Sequence, residues 1–314
     1  MADHSSKKVI FAALAGNTLI AITKYFAAWL TGSSAMFSEA IHSTVDTGNQ
    51  ALLLYGLKRA ARKPDARHPF GYAQEIYFWA FVVAILIFAI GAGVSLYEGI
   101  EKVRHPHEIT DVHINYIVLG LALIFEGVAW LIALKEFNTT RGKRGLLEAV
   151  QASKDPSIFT VLLEDSAAML GLLAALLGIA LSQLLEMPQL DGVASIIIAG
   201  ILAAAAVLLA YETKALLIGE AADPEVVARL KRILAGQQGI LRTNEILTMH
   251  LGPRDVLVNI SLDFHDGLTS MQVEGVIAEL EKRIKIAHPE VKRVFIEAQS
   301  WQSHRLSMQR SSSD

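Results

Sequence analysis

The amino-acid sequence predicts an α-helical membrane protein of six transmembrane helices followed by a small α+β domain of ferredoxin-like αββαβ order. The first supporting observation is composition: 53% of the 314 residues are hydrophobic, and apolar runs of spanning length recur along the chain. The second is the concentration of basic residues in two of the connecting loops. The third is a change, near Asp223, to the composition of a soluble domain.

Six apolar segments are predicted to cross the membrane, since a hydrocarbon layer of about 30 Å needs about 20 helical residues. They are Val9–Leu30, Ser33–Leu57, Ile76–Ile100, Ile114–Leu134, Ile158–Leu181 and Gly192–Leu209, with an extension to Leu217 left open. No cleavable signal is evident, because the first run is long enough to span and no small-residue cleavage site follows it.

The charges of the loops predict the orientation. Basic residues gather after the second and the fourth span, at Lys58, Arg59, Arg62, Lys63 and Arg67 and at Lys135, Arg141, Lys143, Arg144 and Lys154. The positive-inside rule places both loops in the cytoplasm, and six spans then put both termini there. A short chain without a targeting extension predicts the inner membrane of a bacterium.

The last part of the chain is predicted to fold as a small cytoplasmic domain. Pro224 opens a helix with apolar residues at helical spacing. Two strands, a second helix and a third strand follow, at Ile246–Leu251, Val256–Phe264, Ser270–His288 and Val291–Ala298. We therefore predict a transmembrane domain over residues 1–219, an α+β domain over 220–300 and a disordered Ser- and Arg-rich tail over 301–314.

Ionisable residues inside the predicted spans are the candidate functional residues, because buried charge in a membrane needs a partner. They are Lys24, Glu39, His42, Asp46, Glu126, Glu164 and Asp165. His42 and Asp46 are four residues apart, so a helix places them on one face. With Glu164 or Asp165 they would form a carboxylate-rich cage that suits zinc and tolerates iron, cobalt or manganese. The absence of cysteine excludes thiolate ligands.

Polar contacts between helices are the plainer interpretation of His42 and Asp46. Glu164 and Asp165 lie about 100° apart around a helix, so only one of them is expected to face a shared site. Among the other intramembrane charges, Lys24 and Glu126 are predicted to form an ion pair, unless Lys24 snorkels to the outer interface. Glu39 is expected to line an entrance or to be solvated, because it lies near the outer half of its span.

Histidines and carboxylates in the loops offer weaker candidates. Asp65 and His68 are three residues apart and could be two ligands of a second metal site, although a solvated turn explains them equally well. His105, His107 and His113 are interpreted as scattered loop histidines. The net charge of −3 is too small to indicate a nucleic-acid partner.

An ordered set of motifs along almost the whole chain resembles the cation diffusion facilitators, which are membrane exporters of zinc and related divalent metals. The segments that carry the resemblance are Asn17 and Lys24 with Leu30–Ser33, Ile41–Asp46, His68–Tyr72, Glu164–Ser166, Leu190–Ser195 and the αββαβ domain. The resemblance implies a homodimer of six-helix units in the lipid bilayer. It also implies that each unit exchanges a divalent cation for protons by alternating access.

The resemblance assigns the transport ligands residue by residue. His42 and Asp46 match the pair in the second span, and Asp165 matches the aspartate of the fifth span. The ligand that the family carries four residues before this aspartate falls on Val161, which cannot bind a metal, so Glu164 becomes the candidate for the missing ligand. The adjacent Glu and Asp look like a divergent branch with mitochondrial and bacterial members.

The family's other metal sites are matched in part. Asp65 and His68 look like two ligands of a loop zinc site, but Tyr72 stands where a third histidine is expected. In the cytoplasmic domain Phe295–Gln299 replaces the histidines that bind regulatory zinc in relatives. The resemblance therefore implies a dimerisation domain there.

These observations lead to the hypothesis of a zinc/proton antiporter that moves the ion out of the cytoplasm, not an enzyme. Protons and metal compete for the same lone pairs on His42, Asp46 and Asp165, so exchange needs no separate proton site. Iron, manganese, cobalt or nickel as the transported ion, and a metal sensor that transports nothing, remain the alternatives. An intramembrane hydrolase is disfavoured, because H-E-x-x-H and G-x-S-x-G are both missing.

Overall fold

A computed structural model describes residues 2–141 and 145–311, with side chains described from residue 17 onward except at 136, 140, 141, 146, 147, 310 and 311. The chain divides into two compact units. The first unit comprises residues 1–62 and 75–214, and the second comprises residues 63–74 and 215–314.

The first unit is entirely helical in the residues that the structure describes. Its helices are α1 (Ala2–Thr31), α2 (Ser34–Ala60), α3 (Glu75–Leu86), a π-helical segment (Ile87–Ala92), α4 (Gly93–Arg104), α5 (Val112–Arg141), α6 (Leu146–Ala152), α7 (Pro156–Leu184) and α8 (Gln189–Ile218). The short helix α6 was not predicted from the sequence. Helix α8 runs to Ile218 and so includes the extension to Leu217.

Four helical stretches among the described residues are long and apolar enough to cross a membrane. They are Glu75–Arg104, Val112–Thr139, Pro156–Leu184 and Gln189–Ile218, and they coincide with the third to sixth predicted spans. Helices α1 and α2 cover the first two predicted spans and have 30 and 27 residues. The unit is thus a helical domain of the membrane-spanning type.

Helix α2 begins where a polar cap closes its first turn. The side-chain oxygen of Ser33 accepts a hydrogen bond from the Met36 amide at 3.1 Å. The buried carboxylate of Asp191, on α8, accepts the Ser33 hydroxyl and the Ser34 amide, both at 2.7 Å. Gly32 has a φ of 67°, which lets the chain reverse directly between α1 and α2.

Helices α4 and α8 cross at a pair of glycines. A Cβ atom placed on Gly99 would lie 2.7 Å from the carbonyl oxygen of Gly192 and 2.9 Å from the amide of Ile196. Small residues at a crossing let two helical backbones approach closely, which is how many membrane helices pack.

The second unit holds the predicted α+β domain. Its elements are α9 (Pro224–Ala235), β1 (Ile240–Gly252), β2 (Asp255–Phe264), α10 (Ser270–Ala287), β3 (Val291–Ala298) and α11 (Trp301–Ser311). The described strands form a sheet of order β1-β2-β3, antiparallel between β1 and β2 and parallel between β2 and β3. The αββαβ order is therefore as predicted. Its core includes Leu230, Leu234, Val258, Ile260, Leu262, Leu280 and Ile284.

Two parts of this unit differ from the sequence prediction. Strand β1 begins at Ile240, six residues before the predicted start, because irregular pairing with β2 interrupts its alternating pattern. The tail forms helix α11 up to Ser311, where disorder was expected. The Trp301 amide donates to Asp263 at 3.0 Å and the Arg242 guanidinium lies 4.6 Å above the Trp301 ring. Composition alone does not reveal these tertiary contacts; residues 312–314 lie outside the described residues.

The glycine crossing yields a stability test. We expect Gly99→Ala to destabilise the protein by about 1–3 kcal/mol, because the added methyl group meets backbone atoms that cannot move aside. Gly120→Ala on α5 is the matched control, since a Cβ atom there meets open space. The measurement is the thermal unfolding midpoint in detergent. Equal midpoints for the two variants would contradict the close crossing.

Candidate functional site

Helix α2 presents a polar face inside the first unit. The His42 side chain is only 2% exposed, and its Nδ1 lies 3.4 Å from Oδ1 of Asp46, whose side chain is 21% exposed. Neither ring nitrogen of His42, nor this oxygen of Asp46, has a hydrogen-bond partner among the described residues. Buried polar atoms are costly unless they are hydrogen-bonded, and a bound cation is one partner that would satisfy these three.

Helix α7 packs against α2 and brings two carboxyl groups to this region. Glu164 is buried, and its Oε1 accepts a hydrogen bond of 2.7 Å from the side-chain amide of Asn49 on α2. Asp165 is half-buried. The carboxyl group of Asp46 lies within electrostatic range of both Glu164 and Asp165.

The four predicted ligands nevertheless do not form a closed metal cage in this conformation. Among the described residues, no group of three or more His, Asp or Glu side chains is close enough to hold one ion. In the structure, His42 lies beside Asp46, and Glu164 is hydrogen-bonded to Asn49. Asn49 is the residue that the sequence analysis missed. Its spacing of seven from His42, two helical turns on the same face, is the signal that could have found it.

Lys24 is the centre of a buried charge cluster between α1, α2 and α5. Its Nζ donates to Glu39 Oε2 at 3.1 Å, to Ser43 Oγ at 2.8 Å and to Glu126 Oε1 at 2.8 Å. The predicted contact between Lys24 and Glu126 is present, and Lys24 does not snorkel, because it is fully buried. Glu39 does not line an entrance and is not solvated: it is also fully buried and pairs with Lys24.

The loop residues Asp65 and His68 lie close together in the second unit. Oδ1 of Asp65 accepts the backbone amides of Arg67 and His68 at 2.9 and 2.8 Å, and Oδ2 accepts the Tyr72 hydroxyl at 2.6 Å. The Tyr72 hydrogen bond, aided by the His68 amide, holds the pKa of the Asp65 carboxyl below its usual value. This is the geometry of a tight turn whose carboxylate already has protein partners.

The outer-loop histidines have separate contacts. His105 Nδ1 lies 2.8 Å from Glu101 Oε1, and His107 Nε2 lies 3.1 Å from the carbonyl oxygen of Gly32. His113 is exposed. A cavity of about 300 Å³ lies beside His105 and His107. Its lining gathers no set of metal ligands from the part of the chain that the structure describes.

The helical unit with buried charges and the small α/β unit define a multi-pass membrane protein with a small C-terminal α/β domain. A protein-family model described as the cation efflux transmembrane domain matches residues 10–218, which is more than half of the chain. The chain therefore belongs to the cation diffusion facilitator family.

Curated relatives extend this finding. The mitochondrial proton-coupled zinc antiporter SLC30A9 of Xenopus laevis is 35% identical over 259 residues, covering 82% of this chain and 46% of that protein. The Homo sapiens protein of the same name is 33% identical with the same coverage. The manganese efflux system protein MneP of Bacillus subtilis is 24% identical over 297 residues, covering 94% of this chain and 96% of MneP. The chain thus spans about half the length of the SLC30A9 relatives.

Solved structures also match part of the chain. One of them is the nickel form of a MamM CTD variant, with 12% identity and a TM-score of 0.24. The match covers 25% of this chain and 98% of that structure.

The charge cluster makes a direct prediction about stability. We expect Lys24→Met to destabilise the protein by about 3–5 kcal/mol, because it leaves the buried carboxyl group of Glu39 and the partly exposed carboxyl group of Glu126 without their cation. Lys58→Met is the matched control, since Lys58 is exposed. The midpoint of thermal unfolding in detergent would measure the stability of both variants. A Lys24→Met protein as stable as the control would show that the cluster is not closed as described.

Proposed function

We propose that this protein is a divalent metal cation efflux transporter that exchanges zinc for protons. The observation that carries the proposal is the buried face of α2, where an imidazole and a carboxylate lie 3.4 Å apart without hydrogen bonds to described residues. Helix α7 adds the carboxyl groups of Glu164 and Asp165. The names of the SLC30A9 relatives, proton-coupled zinc antiporters, support the same assignment.

The proposed architecture follows the family. Helices α1 and α2 would cross the bilayer together with the four apolar helical stretches, which gives six spans and two cytoplasmic termini. Residues 1–219 would form the transport domain, and the α+β domain of residues 220–300 would join two copies into a homodimer. Relatives in Bacillus subtilis and Yersinia pestis support a bacterial inner membrane, although the SLC30A9 relatives are mitochondrial by name.

The proposed ligands are His42, Asp46, Asp165 and Glu164, which offer one nitrogen and carboxylate oxygens. Zinc accepts such ligands, and a bound cation would satisfy the polar atoms that are otherwise unpartnered. Because metal binding needs a neutral imidazole and ionised carboxylates, protons arriving from outside compete with the metal and release it. The alternating exposure of this face to the two sides of the membrane would convert that competition into transport.

Asn49 has a positioning role in this proposal. Its amide holds one oxygen of the Glu164 carboxylate at 2.7 Å and so restricts the side chain to one orientation. The other oxygen of the same carboxylate is then available to a cation. Partners that orient a metal ligand in this way commonly affect affinity almost as strongly as the ligand itself.

Manganese is the second candidate ion. MneP matches the present chain over nearly its whole length, and its name assigns it to manganese efflux. A site with mostly carboxylate oxygens also suits manganese better than a nitrogen-rich site would. Iron, cobalt and nickel remain less supported alternatives, and a loop site at Asp65 and His68 would be secondary.

Flux into proteoliposomes under an imposed pH gradient tests the proposal. We expect zinc uptake driven by the gradient, and we expect His42→Ala, Asp46→Asn and Glu164→Ala to reduce it at least about tenfold, since each removes a proposed ligand. Zinc, manganese, iron and cobalt would be compared in the same assay.

Matched controls exist for all three variants. His113→Ala, Asp111→Asn and Glu108→Ala change the same residue types at exposed positions and should retain the wild-type rate. Tight binding without flux of any ion would indicate a sensor instead of a transporter. If Glu164→Ala were the one ligand variant to retain zinc flux, Glu164 would not be a ligand and the site would have three protein ligands.

The contact between Asn49 and Glu164 generates a further test. We expect Asn49→Ala to lower metal affinity about 10- to 100-fold, and the double variant with Glu164→Ala to be no weaker than Glu164→Ala alone. Calorimetric titration with zinc measures the affinities, and Asn138→Ala is the control because Asn138 is exposed on α5. Additive losses in the double variant would mean that Asn49 does not act through Glu164.

A further inference from the structure

The charge cluster around Lys24 is not electrically balanced. Among the described residues, one ammonium group faces the carboxyl groups of Glu39 and Glu126. Lys24 and Glu39 are fully buried, and the Glu126 side chain is 19% exposed. A second negative charge in such a place would be uncompensated, and uncompensated buried charge is so unfavourable that the group binds a proton instead.

Lys24 itself is the charged member. Its Nζ donates to three oxygens at 2.8–3.1 Å, which uses all three N–H groups of an ammonium ion. A neutral amine would have only two N–H groups and could not make these three donations. The proton that balances the cluster therefore belongs to one of the two carboxyl groups.

Glu39 is the better proton carrier. Glu126 has the shorter contact with Lys24, 2.8 Å against 3.1 Å, and its side chain is partly exposed, so a negative charge is better compensated at Glu126 than at Glu39. Oε1 of Glu39 and Oε2 of Glu126 are each buried without a hydrogen-bond partner in the described structure. Oε1 of Glu39 also lies against α7, where a Cβ atom placed on Gly171 would be only 2.5 Å away.

Further carboxyl groups lie near the cluster, on the side of Glu126. Asp46 on α2 and Asp165 on α7 lie within electrostatic range of Glu126, so they add negative charge beside the cluster and favour one bound proton within it. His42 on α2 lies within electrostatic range of Lys24. A divalent cation bound at His42 and Asp46 would reverse this balance, because its positive charge favours ionisation of nearby carboxyl groups.

We propose that Lys24, Glu39 and Glu126 form a proton-binding site, separate from the metal ligands, in which Glu39 carries one exchangeable proton. This role rests on the proposed transport function. When a metal ion binds to the α2 face, the O–H bond of Glu39 breaks, the proton passes by way of the partly exposed Glu126 carboxylate to water, and the resulting Glu39 carboxylate pairs with Lys24. When the metal leaves, Glu39 takes up a proton again. Competition between protons and metal for shared ligands needs no separate proton site, and this cluster adds one.

The number of protons exchanged per metal ion tests the proposal. In proteoliposomes, a pH-sensitive dye and a metal-sensitive dye record the two fluxes together. Glu39→Gln imitates the permanently protonated residue. We therefore expect metal flux to persist and the number of protons exchanged per metal ion to fall by about one. Glu108→Gln, at an exposed position, should keep the wild-type ratio. A transporting Glu39→Gln protein with an unchanged ratio would overturn the proposal.

Infrared spectroscopy of the purified protein tests the same proton without transport. A protonated carboxyl group gives a carbonyl band that an ionised one lacks, and we expect Glu39→Gln to lose such a band. Glu126→Gln should lose it as well, because Glu39 then becomes the single carboxylate partner of Lys24 within the cluster. That second variant also covers the case in which Glu39→Gln fails to fold.

The two measurements separate the two possible failures. If the wild-type protein shows no metal-driven proton flux, the proposed transport function is wrong. The infrared result then still decides whether Glu39 binds a proton. A carbonyl band that survives in every folded variant of the cluster would overturn the proton site itself, whatever the flux measurements show.

Discussion

The buried ammonium group of Lys24 constrains the three helices of the first unit that meet around it. Because Lys24 is buried away from bulk water, its three N–H groups need acceptors within the protein, and α2 and α5 supply them. Glu39 and Ser43 are one turn apart on α2, so satisfying Lys24 fixes the rotation of α2 about its axis. The same rotation decides where His42 and Asp46 point. The same group of contacts therefore forms the charge cluster and determines the orientation of the proposed ligands on α2.

Asp191 fixes the same helix at its beginning. A buried carboxylate at a helix N-terminus compensates the positive end of the helix dipole, and Asp191 does this for α2 through Ser33 and Ser34. Lys102 lies 3.8 Å from Asp191 and donates to the carbonyl oxygen of Gly32 at 2.9 Å. Lys24 thus sets the rotation of α2 and Asp191 sets its starting point. A helix placed by two buried charges can present ligands with little freedom.

Long apolar runs were sufficient to predict the helical unit, and the spacing of apolar residues along the chain was sufficient to predict the αββαβ order, because both features depend on local periodicity. The contact of Lys24 with Glu126 was also predictable, because opposite charges in a membrane must meet. The proposed role of Glu39 was not predictable, since it depends on the contact of Glu39 with Lys24 and on the space that Gly171 leaves on α7. Helix α11 was missed for a similar reason, because Trp301 is held by contacts with Asp263 and Arg242 that are distant in sequence.

Val161 stands where the family resemblance predicts a metal ligand, and the proposed site offers a geometric compensation. Relative to Asp165, a residue four positions earlier is rotated by about 40° around the helix, whereas Glu164 is rotated by about 100° in the same sense. A ligand moved by about 60° needs a longer side chain, and it needs a partner that keeps it from turning away. Glutamate supplies the length, and the Asn49 amide, 2.7 Å from its carboxylate, supplies the restraint. Under the proposed function, Glu164 and Asn49 therefore act as one unit in place of the ligand absent at Val161.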